Sequence, residues 1–268
     1  MNEQLHVYRY GIADGPALLA IHGVSAHGRR FETMAPLAFP SYRVIAPDLR
    51  GHGRSPAGHD DEPVRIENHL HDLLRILDDE NVAQAVVVGH SFGGCLGTHL
   101  LAHAPERVSA LVLLDPAIGL PSQQTTQLGD LMIAGDRRYQ TLDDLIHARR
   151  AGRSAQAVAH SDADTRLAAV KDPKGWRTPW DPAVVRASWE EMSRPLPHLA
   201  VRRPTLLLDA TQAQLVGPIQ HAHFSAQLGD TLEVDRMDLG HMLYWDDFDA
   251  VCARISRFLE SPHGALYG

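Results

Sequence analysis

Apolar residues fall into two spacings along this chain. Short continuous runs, at Ala17-Leu18-Leu19-Ala20-Ile21, Tyr42 to Ala46, Val86-Val87-Val88, Ala110 to Leu114 and Thr205-Leu206-Leu207-Leu208, have the length and β-branched or leucine character of buried strands. Several of them stop at a loop signal, such as His22-Gly23, Pro47-Asp48 or Asp115-Pro116. A last, partly alternating run, Thr231-Leu232-Glu233-Val234-Asp235, predicts one more strand. Between the runs the period changes. Ile66, Leu70, Leu73, Leu74 and Leu77 recur at helical spacing from Val64 to Glu80, and Phe248, Val251, Ile255, Phe258 and Leu259 do so from about Asp246 to Leu259. A further helix leaves the third run and is closed by Pro105. The alternation of strand and helix predicts an α/β fold with a mainly parallel sheet, helices on both faces, and active groups in loops at the carboxyl ends of the strands.

From Ala117 to His198 that alternation stops. No strand is evident there, and polar helical stretches such as Leu142 to Arg150 and Pro182 to Met192 are joined by Gly, Pro and Ser. The pattern predicts residues 117–198 as an inserted helical cap on a core made of residues 1–116 and 199–268. Trp176, Trp180 and Trp189 concentrate in the insertion with Met132 and Met192. They would suit either the roof of an apolar pocket or the joint between cap and core.

Composition narrows the classes of function. With 268 residues the chain can bury a large core, and its formal charge of −8 argues against general nucleic-acid binding, which needs a basic surface. The two cysteines, Cys95 and Cys252, lie too far apart in sequence to suggest a disulfide framework. Met1-Asn2-Glu3-Gln4 opens without a basic region or apolar run, and no stretch of about 18 apolar residues follows, so a cytoplasmic chain without a membrane partner is expected.

Candidate chemistry centres on Gly89-His90-Ser91-Phe92-Gly93-Gly94, between an apolar run and a helix-compatible segment. A Gly-x-Ser-x-Gly turn from strand to helix presents a serine hydroxyl from a strained backbone, because glycines two residues away spare the turn a clash. Ser91 is the candidate nucleophile, and the Phe92 amide a candidate oxyanion donor at the helix start. A serine needs a base. His241, in Leu239-Gly240-His241-Met242, follows Ser91 as the order requires, and its place between the last strand and the closing helix singles it out among the 17 histidines. The histidine pairs His99/His103, His69/His71 and His221/His223 lack the further ligands of a zinc signature, and His22-Gly23-Val24-Ser25-Ala26-His27-Gly28 is not a dinucleotide loop. No metal and no cofactor are expected.

Together, His22-Gly23 after the first run, Asp48-Leu49-Arg50-Gly51-His52-Gly53-Arg54-Ser55 after the second, Gly-His-Ser-Phe-Gly-Gly and Gly-His-Met resemble the α/β-hydrolase superfamily over nearly the whole chain. The resemblance implies a second oxyanion donor from the Val24 amide. Asp48 to Ser55 is expected to be a structural turn. Many relatives carry the catalytic acid about six residues after the strand that ends here at Leu208, where this chain has Gln214. Others carry it directly after the strand that follows the elbow helix, which points to Asp115, with Asp209, another carboxylate or an incomplete triad as the alternatives. The implied activity is that of a serine hydrolase cleaving an ester, lactone or thioester of a small apolar acyl compound. A carbon–carbon bond hydrolase, a perhydrolase, and a non-catalytic ligand-binding member share the same motifs.

Overall fold

The computed structural model describes residues 4–58 and 64–261. Seven strands form one sheet: β1 (Val7–Gly11), β2 (Ala17–Ile21), β3 (Arg43–Pro47), β4 (Ala85–His90), β5 (Val108–Leu114) and, after a two-stranded hairpin of β6 (Val170–Asp172) and β7 (Gly175–Arg177), β8 (Thr205–Ala210) and β9 (Leu232–Met237). The order is β1-β3-β2-β4-β5-β8-β9, with only β1 antiparallel to its neighbour.

The apolar runs are continuous because the sheet is covered on both sides. Leu19, Ile21, Val87, Leu111, Leu113 and Leu207 face one core. That core holds Leu70, Leu73 and Leu77 of α2 (Ile66–Asp79, the first helix being the short α1, Ala35–Ala38), and Leu96 and Leu100 of α3 (Phe92–His103). Their neighbours Leu18, Ala20, Val86, Val88, Val112 and Leu208 face the other, against α1 and the closing helix. Each leucine or phenylalanine so buried contributes about 1.5–3 kcal/mol.

The segment between β5 and β8 holds α4 (Ser122–Ala134), α5 (Leu142–Arg149), α6 (Ala155–Ala168), the hairpin, and α7 (Pro182–Glu191). The hairpin corrects the expectation that this segment contains no strand. Its strands are three residues each, too short to show a period, but its turn is written in Asp172-Pro173-Lys174-Gly175. Asp172 Oδ1 accepts the Lys174 amide at 2.8 Å, and Gly175 sits at φ +131°, where a Cβ would stand 2.5 Å from the Tyr139 carbonyl oxygen. The closing helix is found as α10 (Phe248–Glu260), whose start Asp247 caps by accepting the Ala250 amide at 3.1 Å; a short α9 (Leu243–Asp246) precedes it, following α8 (Pro218–Leu228).

The chain lays down β2, moves to β3 on one side, then returns to β4 on the other. The carboxyl ends of β2 and β4 therefore diverge at a topological switch point, the usual place for a ligand crevice in such sheets. Val24 follows β2 and Ser91 follows β4. No helix among the described residues is long and apolar enough to cross a membrane.

Candidate active site

Ser91 occupies the turn between β4 and α3 at φ 56°, ψ −118°, a conformation that costs a non-glycine residue about 1–3 kcal/mol. Neighbouring backbone holds it there. The Ser91 amide donates to the Leu114 carbonyl at 3.0 Å, and its carbonyl accepts the amides of Gly94, Cys95 and Ala117 at 2.9, 3.1 and 3.1 Å. The flanking glycines have a steric reason. A Cβ on Gly89 would stand 2.2 Å from the Gly93 carbonyl oxygen, and one on Gly93 would stand 2.1 Å from that of Ile21. Ser91 is buried, and among the described residues its Oγ has no hydrogen-bond partner.

His241 lies in the loop from β9 to α9, half-buried, with Nδ1 2.6 Å from Oδ2 of Asp115. Asp115 is the first residue past β5 and is fully buried at φ 45°. Its own amide donates to the Leu208 carbonyl at 2.8 Å, and its Oδ1 accepts the Ala210 amide at 3.2 Å, so the end of β8 fixes the carboxylate's orientation. A carboxylate accepts, so Nδ1 of His241 carries the proton and the Nε2 lone pair is left for another donor.

The other candidate acids are elsewhere. Asp209, also buried, accepts from His221 Nε2 at 2.9 Å and from Arg236 Nε at 3.1 Å. Gln214 is exposed on a left-handed turn at φ 56°.

Val24 and Phe92 carry the two candidate oxyanion amides. The loop after β2 touches the elbow directly: a Cβ on Gly23 would stand 2.9 Å from that of Ser91. His22 fastens this loop, its Nδ1 donating to the Gly23 carbonyl at 2.7 Å while its Nε2 accepts the Leu49 amide at 2.9 Å. Burial and the nearby His52 push its pKa well below the ordinary histidine value, which keeps both contacts in one tautomer. Among the described residues the Val24 and Phe92 amides donate to no carbonyl or side chain. Asp48 to Ser55 forms a turn, as expected, with Asp48 accepting the amides of Gly28 and Arg54 at 2.7 and 2.8 Å.

His90 is a positioning residue that the motif does not single out, since it fills the variable place in Gly-x-Ser. Its Nε2 donates to the His241 carbonyl at 3.0 Å and its ring packs 4.8 Å from that of His241. Burial, and then the proximity of His241, hold it neutral. Of the tryptophans, Trp180 and Trp189 are buried in the same core as Phe92, while Trp176 is half-buried on β7. A cleft of about 390 Å³ opens beside His241, bounded by Gly240, Met242, Arg153 and Ser154.

A family model described as alpha/beta hydrolase fold matches residues 16–248. Lipase LipV of Mycobacterium tuberculosis is 36% identical over 245 residues, covering 89% of this chain and 91% of that protein. Among solved structures, E-2-(acetamidomethylene)succinate hydrolase superposes with a TM-score of 0.85 at 19% identity, covering 96% of this chain and 95% of that one. A marine microorganism esterase does so at 0.79 and 17%, covering 96% and 100%. At such identities the structural likenesses speak for the fold.

Proposed function

Because the chain belongs to the α/β-hydrolase superfamily, we propose that it is a serine hydrolase cleaving an ester, lactone or thioester of a small acyl compound through an acyl-enzyme. The 2.6 Å contact between His241 Nδ1 and Asp115 Oδ2, on the loops beside the Ser91 elbow, carries this reading. His241 Nε2 takes the Ser91 proton as Oγ attacks the substrate carbonyl. The oxyanion that forms is stabilised by the Val24 and Phe92 amides, each worth roughly 3 kcal/mol in comparable sites. Collapse of the tetrahedral intermediate expels the alcohol or thiol, which receives its proton from His241. Water, deprotonated by His241, then attacks the acyl-enzyme, and Ser91 regains the proton as the acid leaves. Residues 117–198 act as a cap that decides which substrate reaches Ser91.

The name of the lipase relative supports an ester substrate. The buried carboxylate behind His241 favours an enzyme over a binding protein on the same fold, because Gln214 need not serve as the acid. A panel of esters, thioesters and lactones of graded acyl length tests the reading. The best substrate is expected to reach a kcat/KM on the order of 10⁴ M⁻¹ s⁻¹. Failure of the folded protein to turn over any of the three classes would contradict it.

A further inference from the structure

Three arginines converge beside the two loops that carry Val24 and His241. Arg30, in the turn of residues 28–31, makes a two-pronged ion pair with Asp164 of α6 at 2.8 and 2.9 Å, both side chains being buried. Arg149, the last residue of α5, donates Nε to the Thr165 hydroxyl at 3.1 Å. With Ser25, His27 and Asp164 it lines a narrow crevice next to the loop after β2. Arg153, between α5 and α6, donates Nε to the Arg149 carbonyl at 2.8 Å and lines the cleft of about 390 Å³ that contains His241. The Trp245 ring brings Arg30 and Arg153 together, their guanidinium carbons lying 4.9 and 4.6 Å from its centroid.

Negative charge in the cluster falls short of the positive charge. The carboxylates acting on these guanidiniums are Asp164, already paired with Arg30, and Asp246. Asp246 is occupied by the Gly240 amide at 3.0 Å and the Ser154 hydroxyl at 3.1 Å. Among the described residues the Thr165 hydroxyl is the sole acceptor for the Arg149 guanidinium, and the Arg149 carbonyl the sole acceptor for that of Arg153. The outer nitrogens of both forks are therefore uncommitted. The imbalance registers in their acidity. Burial, with the repulsion of Arg30 and Arg153, pulls Arg149 down to about 10, and burial and Arg30 lower Arg153. A guanidinium fork is the group best matched to a planar carboxylate.

We propose that Arg149 and Arg153 form a subsite for a carboxylate on the substrate, so that this hydrolase acts on an acyl ester bearing a free acid group rather than on a wholly apolar one. The inference rests on the hydrolase reading above, and its test separates the two. Monomethyl and dimethyl succinate present the same carbon skeleton with and without a free carboxylate, and their hydrolysis is followed as acid released at constant pH. The wild-type protein is expected to favour the monoester by about tenfold in kcat/KM, and Arg149→Gln and Arg153→Gln to cut that preference by about the same factor, with Arg153→Lys restoring part of it. Equal rates on the two esters, or an unaltered preference in both glutamine variants, would overturn the subsite.

A binding measurement decides the matter if neither methyl ester turns over. Millimolar succinate is expected to raise the Tm of the wild-type protein by about 2 °C over sodium chloride of equal ionic strength, and to do so for neither glutamine variant. Arg153 is only half-buried, so its variant tests the subsite even if Arg149→Gln fails to fold. A Tm shift without turnover of any ester, lactone or thioester would retain the subsite and contradict the hydrolase. Ester turnover without carboxylate preference or Tm shift would do the reverse.

Discussion

Asparagine in place of Asp115 is expected to lower kcat roughly 10⁴-fold while leaving the fold intact. The size of the effect follows from the two oxygens of the carboxylate, which have different partners. Oδ1 accepts the Ala210 amide and Oδ2 faces His241 Nδ1. Asparagine has one oxygen. The Ala210 amide can only donate, so it claims that oxygen and turns the side-chain NH₂ toward His241. Nδ1 must then accept, which moves the imidazole proton to Nε2, the atom that has to be free to take the proton of Ser91. The imidazolium formed during attack also loses its counter-charge. Asp209→Asn serves as the control, because that carboxylate holds His221 and Arg236 rather than His241. It should cost about 1–3 kcal/mol of stability and leave kcat within a few-fold. Steady-state kinetics of the two variants checks the ranking, and the reverse order would remove Asp115 from the site.

Mild acid is expected to unfold the protein. His22, His52, His69 and His90 are all at most 2% exposed. Burial first, and then neighbouring histidines or arginines, lower all four, His52 to about 4 and the others well below the ordinary value. Above pH 6.5 these groups are neutral in both folded and unfolded chains and contribute no pH dependence. As pH falls below 6.5, the unfolded chain takes up protons that the folded chain refuses, so stability is lost downward from there, toward about pH 4 for His52. At pH 5 His52 alone costs about 2 kcal/mol, a sizeable part of the roughly 5–15 kcal/mol that holds a typical domain folded, and His22, His69 and His90 act in the same direction. Urea titrations at pH 7.5 and pH 5 should show the midpoint clearly lower at pH 5. A midpoint unchanged between the two would mean that these imidazoles are not the buried neutral groups described.

The sheet was legible because its strands are covered on both faces, which turns β2, β4, β5 and β8 into uninterrupted apolar runs ending in loop residues. Only β9, half-exposed, shows the weaker alternating pattern. The edge strand β1, with polar Arg9 between two tyrosines, and the three-residue strands β6 and β7 carry no such signal. The elbow was legible for a steric reason: Gly89 and Gly93 stand where any side chain would meet backbone oxygen.

The pairing of Asp115 with His241, 126 residues apart, could be anticipated from chain order and family resemblance alone. His90 could not be picked out, because its role depends on contact with a backbone carbonyl 151 residues on. The arginine cluster was hidden for the same reason. Arg149 looks like the polar side of a surface helix, and Arg153 like a loop residue just beyond it, until Arg30, Asp164 and Trp245 are seen to gather around them. Periodicity reports which residues are buried; it does not report which distant charges meet.

Reaction of the folded protein with a fluorophosphonate, followed by intact mass and peptide mapping, tests the central claim most directly. Such a probe is attacked by an activated serine and held as a stable adduct. One adduct per chain is expected, on the peptide containing Ser91, at a rate that Asp115→Asn sharply reduces, and with no adduct on Ser91→Ala. Absence of labelling in the folded wild-type protein, or labelling that persists in Ser91→Ala, would contradict a serine hydrolase built on this elbow.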